Sequence, residues 1–308
     1  MSNDILGRLR LDTTALSHLP ATVTVPAYAR KRTRIGVLHL GAGAFHRAHQ
    51  AVYLDELLAT EKQWAISAVS LHGTEVRDAL APQHGLYTLA LLEEQPRLRV
   101  IGSIREVLSA RDQSVAVLAR LVDPDVRLLT LTITEKGYCL AGEELDLNHP
   151  DIVRDLAGSG VPVSAIGYIV AGLAARRARG LAPFTVLSCD NLADTGGRLR
   201  RAVMQFAERI DVTLAHWIGR EVAFPRSMVD SITPATDDAL RDRVSQALGC
   251  IDAWPVQREP FSQWVIEDHF CNGRPALDWV GVQFSSDIAA YERAKLRLLN
   301  GAHSTLAY

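Results

Sequence analysis

Ile35-Gly36-Val37-Leu38-His39-Leu40-Gly41-Ala42-Gly43-Ala44-Phe45-His46 sets the architecture of this chain. The first six residues are almost unbroken in apolar character and read as a strand covered on both faces, and the run from Ala44 to Leu58 reads as a helix. A glycine pair joins them. The first glycine permits a tight turn, and the second lets a phosphate approach the backbone at a helix N-terminus, where unpaired N–H groups meet negative charge. A strand-to-helix turn without any ligand is the plainer alternative, so the surrounding pattern has to decide. Where a dinucleotide fingerprint carries its third glycine this chain has His46, so helix and strand cannot pack in the usual way.

On either side of that stretch, β and α patterns alternate. Trp64–Leu71, Arg97–Ile104, Val126–Thr134 and Phe184–Cys189 read as further strands, and Gln113–Leu121, Ser164–Arg179 and Arg198–Ile210 as helices. This alternation predicts an α/β fold with a doubly wound, mainly parallel sheet of the Rossmann type. Residues 1–33 carry turn signals and end in Arg30-Lys31-Arg32, expected to be a solvated surface arm. After Phe224 come strands at Met228–Ile232 and Trp264–Glu267 and a helix at Asp237–Leu248. A boundary is expected near residue 285, with a dinucleotide-binding domain over 1–285 and the first helix of an α-helical second domain over 286–308. That helix reaches Tyr308 without a glycine, proline or polar stop, which predicts a truncated domain.

Composition narrows the class of partner. The chain has 308 residues, 48% hydrophobic and 22% charged, with a net charge of -2, so it shows no basic stripe for nucleic acid or an anionic membrane. A small molecule is the expected partner. No apolar run reaches the roughly 18 residues of a membrane helix, and the N-terminus has no signal-peptide core, which predicts a cytoplasmic protein. Cys139, Cys189, Cys250 and Cys271 are too widely spaced for a zinc knuckle and too few for a disulfide scaffold, so free thiols are expected.

Tyr291–Tyr308 reads as the helix that carries the chemistry. At about 100° per residue, Glu292, Lys295, Asn300 and His303 fall within an arc of ~140°, together with Leu296 and Leu299. An amine, an amide and an imidazole on an apolar face are costly to bury unless they serve one another or a ligand. Oxidation of an alcohol through a nicotinamide needs a base for the hydroxyl proton and donors for the developing oxyanion. Lys295 suits the first role if desolvation favours its neutral form. Asn300 and His303 suit the second, as does Asn191, which follows a strand at the carboxyl edge of the sheet. Tyr291 and Lys295 also form the Tyr-Lys spacing of short-chain dehydrogenases, but they lie too far from a glycine turn that is itself of a different type. His46 and His49 lack a third ligand and are expected to pack or to touch cofactor, with no metal bound. The second strand ends Ser70-Leu71-His72-Gly73, without the carboxylate that receives the ribose of NAD. Ser70, His72 or Arg77 are compatible with a 2′-phosphate, so the choice between NAD and NADP stays open.

The chain resembles the polyol-specific long-chain dehydrogenases, a family of mannitol 2-dehydrogenases and fructuronate (mannonate) reductases. The resemblance rests on the segments 39–50, 83–88, 132–139, 187–191, 224–234, 259–264 and 295–303. It implies a metal-independent, NAD-using secondary-alcohol dehydrogenase, NADP not excluded, acting on a polyol, a ketose or a sugar acid. Within it Lys295 is the general acid/base, Asn191 and Asn300 form an oxyanion hole and His303 binds substrate. Asp230 lies near the polyol, and Glu292 gates proton exchange. The expected cofactor contacts are Gly41, Gly43, Phe45, His46, Ser70 and Thr134. A cofactor-binding fragment that does not turn over is the alternative expectation.

Overall fold

The computed structural model describes residues 9–94, 97–158 and 160–295. The chain passes through β1 (Ile35–Leu40), α1 (Ala44–Ala48), α2 (Gln50–Leu57), β2 (Ala65–Ser70) and α3 (Glu75–Leu80). A hairpin of β3 (Tyr87–Leu91) and β4 (Arg97–Ile101) precedes β5 (Ile104–Ser109), α4 (Ala110–Leu121) and β6 (Leu128–Leu131). A short ladder of β7 (Leu140–Ala141) and β8 (Glu144–Leu145) leads to α5 (Pro150–Leu156), α6 (Ala165–Ala178) and β9 (Thr185–Ser188). There follow α7 (Thr195–Ile210), α8 (Val212–Glu221), β10 (Ser227–Asp230), α9 (Asp238–Leu248), β11 (Val256–Arg258), β12 (Gln263–Ile266) and β13 (Gln283–Phe284). A helix then occupies residues 288–295.

Five strands form the central sheet in the order β5-β2-β1-β6-β9, every pair parallel. From β1 the chain winds outward to β2 and β5, then crosses back to β6 and β9, so the order reverses beside β1. Ligands of such sheets collect outside the carboxyl ends at that reversal. The register lines those ends up, with Leu40 opposite Val69 and Leu131, and Leu131 opposite Ser188. Gly41, Ser70, Thr132 and Asp190 therefore stand along one edge.

Side chains of β1 alternate between two cores, as a pleated strand requires. Leu38 and Leu40 join the core that includes Val117, Ile169 and Val203 of α4, α6 and α7, whereas Val37 joins the one that includes Val52, Trp64 and Trp264. Each such side chain, fully buried, contributes about 1.5–3 kcal/mol. Both faces of the sheet are thereby covered, the reason its strands read as continuous apolar runs. Two smaller sheets, β11-β3-β4 and β10-β12-β13, flank it.

Three sequence-based expectations are corrected. The helix expected over Ala44–Leu58 breaks at His49 (φ -122°, ψ -89°) into α1 and α2. The His49 ring gives the reason: Nε2 donates to Gln263 O at 2.9 Å, and the ring lies against Phe45 and edge-on to Trp264. The strand expected over Arg97–Ile104 divides at Gly102 into β4 and β5, which belong to different sheets. The basic run is no solvated arm throughout, because Arg30 is buried, with Nε donating to Gly102 O at 2.8 Å and Nη2 to His84 O at 2.7 Å and Ile104 O at 2.8 Å. Its guanidinium clamps the β4–β5 junction by satisfying carbonyls that the sheet leaves open.

Candidate active site

Gly41 occupies a left-handed conformation (φ +101°), and a Cβ there would collide with the carbonyl of Thr132, so no other residue fits. Its N–H donates to Val69 O at 2.8 Å. Its carbonyl accepts from the Thr132 hydroxyl at 2.8 Å and from His39 Nε2 at 3.0 Å. A carbonyl can only accept, so His39 carries its proton on Nε2 and leaves Nδ1 to accept from the Thr130 hydroxyl at 2.7 Å. Gly43 differs: a Cβ there would meet nothing closer than Gly41 O at 3.9 Å and would project into open space above α1. Packing within the chain does not require glycine at 43, so the space it leaves suits something outside the chain.

His46 lies beneath this turn rather than on it. It is fully buried and stacked on His39, ring centroids 3.3 Å apart and planes 10° apart, and neither of its ring nitrogens has a partner among the described residues. The flat ring fills the gap that the missing third glycine would have closed. Burial holds His39 down at about 3 and His46 well below its ordinary range, so both are neutral. Phe45 is half-buried and stacks on His49 at 5.0 Å, whose proton affinity burial also lowers, to about 3.

The carboxyl ends of β6 and β9 are knitted by Asp190. One of its oxygens accepts from Ile133 N at 3.0 Å and the Tyr138 hydroxyl at 2.6 Å, and the other from Thr134 N at 2.9 Å. Thr134 is held at φ 61°, ψ 167°, a conformation costing about 1–3 kcal/mol for a residue with a side chain. Sequence reasoning passed over Asp190, although it directly precedes Asn191 in a quoted segment. Only the fold reveals that its partners lie just past the end of the neighbouring strand β6, 52 to 57 residues earlier in the chain.

Lys295 reaches this edge from the helix at 288–295. Its Nζ donates to Val229 O at 2.6 Å and Asn191 Oδ1 at 3.0 Å, and lies 3.4 Å from Asp230 Oδ1. Asn191, Lys295 and Glu292 line one cavity of about 200 Å³ together with Asp190 and Val229. One Glu292 oxygen is buried without a partner among the described residues, and burial raises its carboxyl above the usual range, opposed by the backbone N–H of Asp194. The structure thus brings Asn191, Asp230, Glu292 and Lys295 together. Asn300 and His303 lie outside the described residues.

Ser70 ends β2 opposite Ser109, half-buried. Arg77 is not available to a ligand in the way considered from sequence, because it pairs with Asp112 at 2.6 Å and Asp78 at 2.7 Å. His46 and His49 do not converge as metal ligands. Among the described residues Cys139, His149 and Asp151 bring ligand atoms within 4.8 Å of one another, but His149 Nδ1 already accepts from Asp151 N at the start of α5.

The sheet order, the glycine turn at its reversal and the polar cluster at the carboxyl ends define a Rossmann-type α/β protein. More narrowly, the chain belongs to the mannitol dehydrogenase family, whose Rossmann domain matches residues 35–279. It is 46% identical over 93% of its length to a mannitol 2-dehydrogenase of Cereibacter sphaeroides and covers 61% of that protein. It is 44% identical over 95% of its length to the D-mannonate oxidoreductase of Escherichia coli strain K12, again covering 61%. The structure of Pseudomonas fluorescens mannitol 2-dehydrogenase in ternary complex with NAD and D-mannitol superimposes with a TM-score of 0.91 at 44% identity, over 96% of this chain and 62% of that one. The chain therefore spans about three fifths of the length of these relatives. Among the described residues no helix is long and apolar enough to cross a membrane.

Proposed function

We propose that this chain supplies the cofactor site and the proton-transfer machinery of an NAD-dependent dehydrogenase that interconverts a polyol or aldonate with the matching ketose or keto-acid. Residues 1–285 would hold the dinucleotide, and the helix entered near 286 would open the part that shapes the substrate pocket. The observation that carries the reading is the contact of Lys295 with Asn191 at the carboxyl edge of β9, on the sheet edge that also bears the Gly41–Gly43 turn.

Gly41 and Gly43 fit a pyrophosphate, since the space above Gly43 is what a Cβ would fill. A nicotinamide bound beyond that turn supplies the hydride acceptor or donor. Thr134, fixed by Asp190, would border it. An ammonium has three hydrogens: two of those on Lys295 point at Val229 O and Asn191 Oδ1, and the third has only the longer contact with Asp230. A substrate oxygen would compete for that third hydrogen, which makes Lys295 the group that passes a proton to a carbonyl or takes one from an alcohol. Because the amide oxygen of Asn191 is spent on Lys295, its NH₂ is presented outward to the same substrate oxygen. Glu292, one turn earlier on the helix and reluctant to ionise, suits relay of the proton to solvent. Asn300 and His303 are proposed to complete the oxyanion hole and the substrate contact.

Steady-state assays with mannitol and fructose, and with mannonate and fructuronate, test the reading. Turnover with one pair is expected, abolished by Lys295→Ala while binding of ADP-ribose is unchanged. Near-normal turnover by that variant at neutral pH would remove Lys295 from the role. The near-equal identities to a mannitol 2-dehydrogenase and a mannonate oxidoreductase leave both pairs in the test.

A further inference from the structure

A cavity of about 520 Å³ lies along the outer edge of β5, the terminal strand of the central sheet and two places from β1. Arg105, Glu106, Val107 and Leu108 of β5 line it, together with Arg30, Lys31 and His84. None of its lining residues belongs to the Gly41–Gly43 turn or to the cavity at Lys295. Lys295 meets Asn191 beyond β9, at the opposite edge of the sheet, four strand spacings or roughly 19 Å away. The volume is that of a small-molecule site, for which roughly 300–1,000 Å³ is usual.

Three cations line this cavity, Arg30, Lys31 and Arg105, and among the described residues none of them forms an ion pair. The acids nearby are committed elsewhere. Glu106 accepts from Arg120 at 2.8 and 3.1 Å and from the Ser67 hydroxyl at 2.7 Å. Asp55, whose charge is felt by Arg30 from within the core, accepts from Arg99 at 2.7 Å, the Tyr28 hydroxyl at 2.6 Å and Gly102 N at 2.8 Å. Asp12, beside the lining residue Thr13, is taken up by Thr14 and Ala15.

Arg30 is the informative member because it is only 7% exposed and yet lines the cavity. A guanidinium carries five N–H donors, and those of Arg30 on Nε and Nη2 hold the carbonyls of Gly102, His84 and Ile104. The pair on Nη1 has no acceptor among the described residues. Arg105 is half used in the same way: Nη1 donates to Arg30 O and to the Thr33 hydroxyl at 2.8 Å, while Nε and Nη2 have no acceptor among the described residues. Burial, with the like charge of Arg105 adding to it, holds Arg30 down at about 10, still cationic at neutral pH. Two adjoining guanidinium groups with unspent donors and no carboxylate of their own are costly, and an anion from outside the chain offsets that cost.

We infer that this cavity binds a phosphate group, free or carried by a small metabolite, between the Nη1 edge of Arg30 and the unspent edge of Arg105, with Lys31 at the rim. Planar guanidinium groups match phosphate oxygens in pairs, and a partly buried site strengthens each such contact relative to one on the open surface. Ala81 and Leu108 in the lining offer apolar surface to the carbon skeleton of a phosphate ester. The distance from Lys295 makes the bound molecule an effector rather than a substrate.

Calorimetric titration with inorganic phosphate, glucose 6-phosphate and glucose, each in the presence of excess ADP-ribose to occupy the glycine turn, tests the site without any turnover. Glucose 6-phosphate is expected to bind at least tenfold more tightly than glucose. Lys31→Glu, at an exposed position, and Arg105→Gln should each weaken the two phosphates tenfold or more and leave ADP-ribose unaffected. Should Arg105→Gln fail to fold, Lys31→Glu decides alone. Glucose 6-phosphate binding more tightly than inorganic phosphate supports a metabolite as the source, and equal affinities support free phosphate. No binding of either phosphate, or binding that the substitutions leave unchanged, an adventitious ion only, overturns the inference. Because the substitutions lie outside the glycine turn, failure of ADP-ribose to bind would count against the dinucleotide reading and not against this one.

Discussion

Replacing Asp190 separates the contribution of its charge from that of its shape. In Asp190→Asn one amide oxygen can keep two of the three donors, but the NH₂ must then face a backbone N–H, that of Thr134 or that of Ile133, depending on the flip. Tyr138 adapts, because its hydroxyl can turn towards Ser188 Oγ at 2.5 Å. One lost charge-assisted bond at a half-open edge costs about 2 kcal/mol. Asp190→Ala loses all three bonds, and release of the strained Thr134 returns part of the cost, so about 3–4 kcal/mol is expected. With a urea slope of about 3 kcal/mol/M for a protein of this size, the midpoints should fall by about 0.7 M and by more than 1 M. Fluorescence-monitored urea unfolding reads both. Titration with ADP-ribose and with NAD reads the second consequence: NAD should weaken more than tenfold in the alanine variant and ADP-ribose much less, because the freed loop borders the proposed nicotinamide end. An alanine variant within 1 kcal/mol of the parent, or equal losses for the two ligands, would refute the assignment of Asp190 as the clasp of this edge.

The two glycines of the turn should part company: Gly41→Ala is expected to destabilise by about 3 kcal/mol or more through its φ and its clash with Thr132. Gly43→Ala should stay within about 0.5 kcal/mol of the parent yet weaken NAD more than tenfold, and an unchanged affinity would show that the space above it holds no phosphate. The buried histidines make a pH prediction. His39 and His49 are depressed to about 3, and His46 is also depressed, so below the unfolded value near 6.5 the unfolded chain takes up protons that the folded one refuses. Their contribution is complete above pH 6.5 and is lost as pH falls towards 3, about 3–4 kcal/mol for the three between pH 7 and 5.5. Urea midpoints at those two values measure it, and His46→Phe, which keeps a flat ring on His39, should reduce the difference by about a third.

What could be read without the fold follows the range of the forces involved. The β1 strand and its glycine turn are local, set by apolar patterning and by the conformation Gly41 adopts, and so were visible. The break at His49 was not, because it depends on the carbonyl of Gln263, far along the chain. Arg30 looked like part of a solvated basic run because nothing near it in sequence shows that the carbonyls of His84, Gly102 and Ile104 converge on it. Glu292 and Lys295 do lie on a helix, as their spacing predicts, and Asn191 follows the end of a strand. Their meeting depends on the backbone of Val229, which carries no side-chain signature at all.

That dependence on Val229 explains why the small β10-β12-β13 sheet matters to the chemistry. Lys295 is long and flexible, and fixing it in one geometry costs side-chain entropy that a single surface contact would not offset. Here its shortest hydrogen bond is to a strand carbonyl, and that strand is registered residue by residue against β12, with Val229 opposite the fully buried Trp264. Trp264 also lies against His49, at the bend where α1 passes into α2 behind the glycine turn, and against Tyr53 in the first turn of α2. The proposed proton carrier and the proposed phosphate cradle are thus referenced to the same indole, although they sit about 250 residues apart in sequence. Tight packing at that point fixes the distance between the two halves of the site, which a reaction between a bound dinucleotide and a substrate held at Lys295 requires to within a fraction of a bond length.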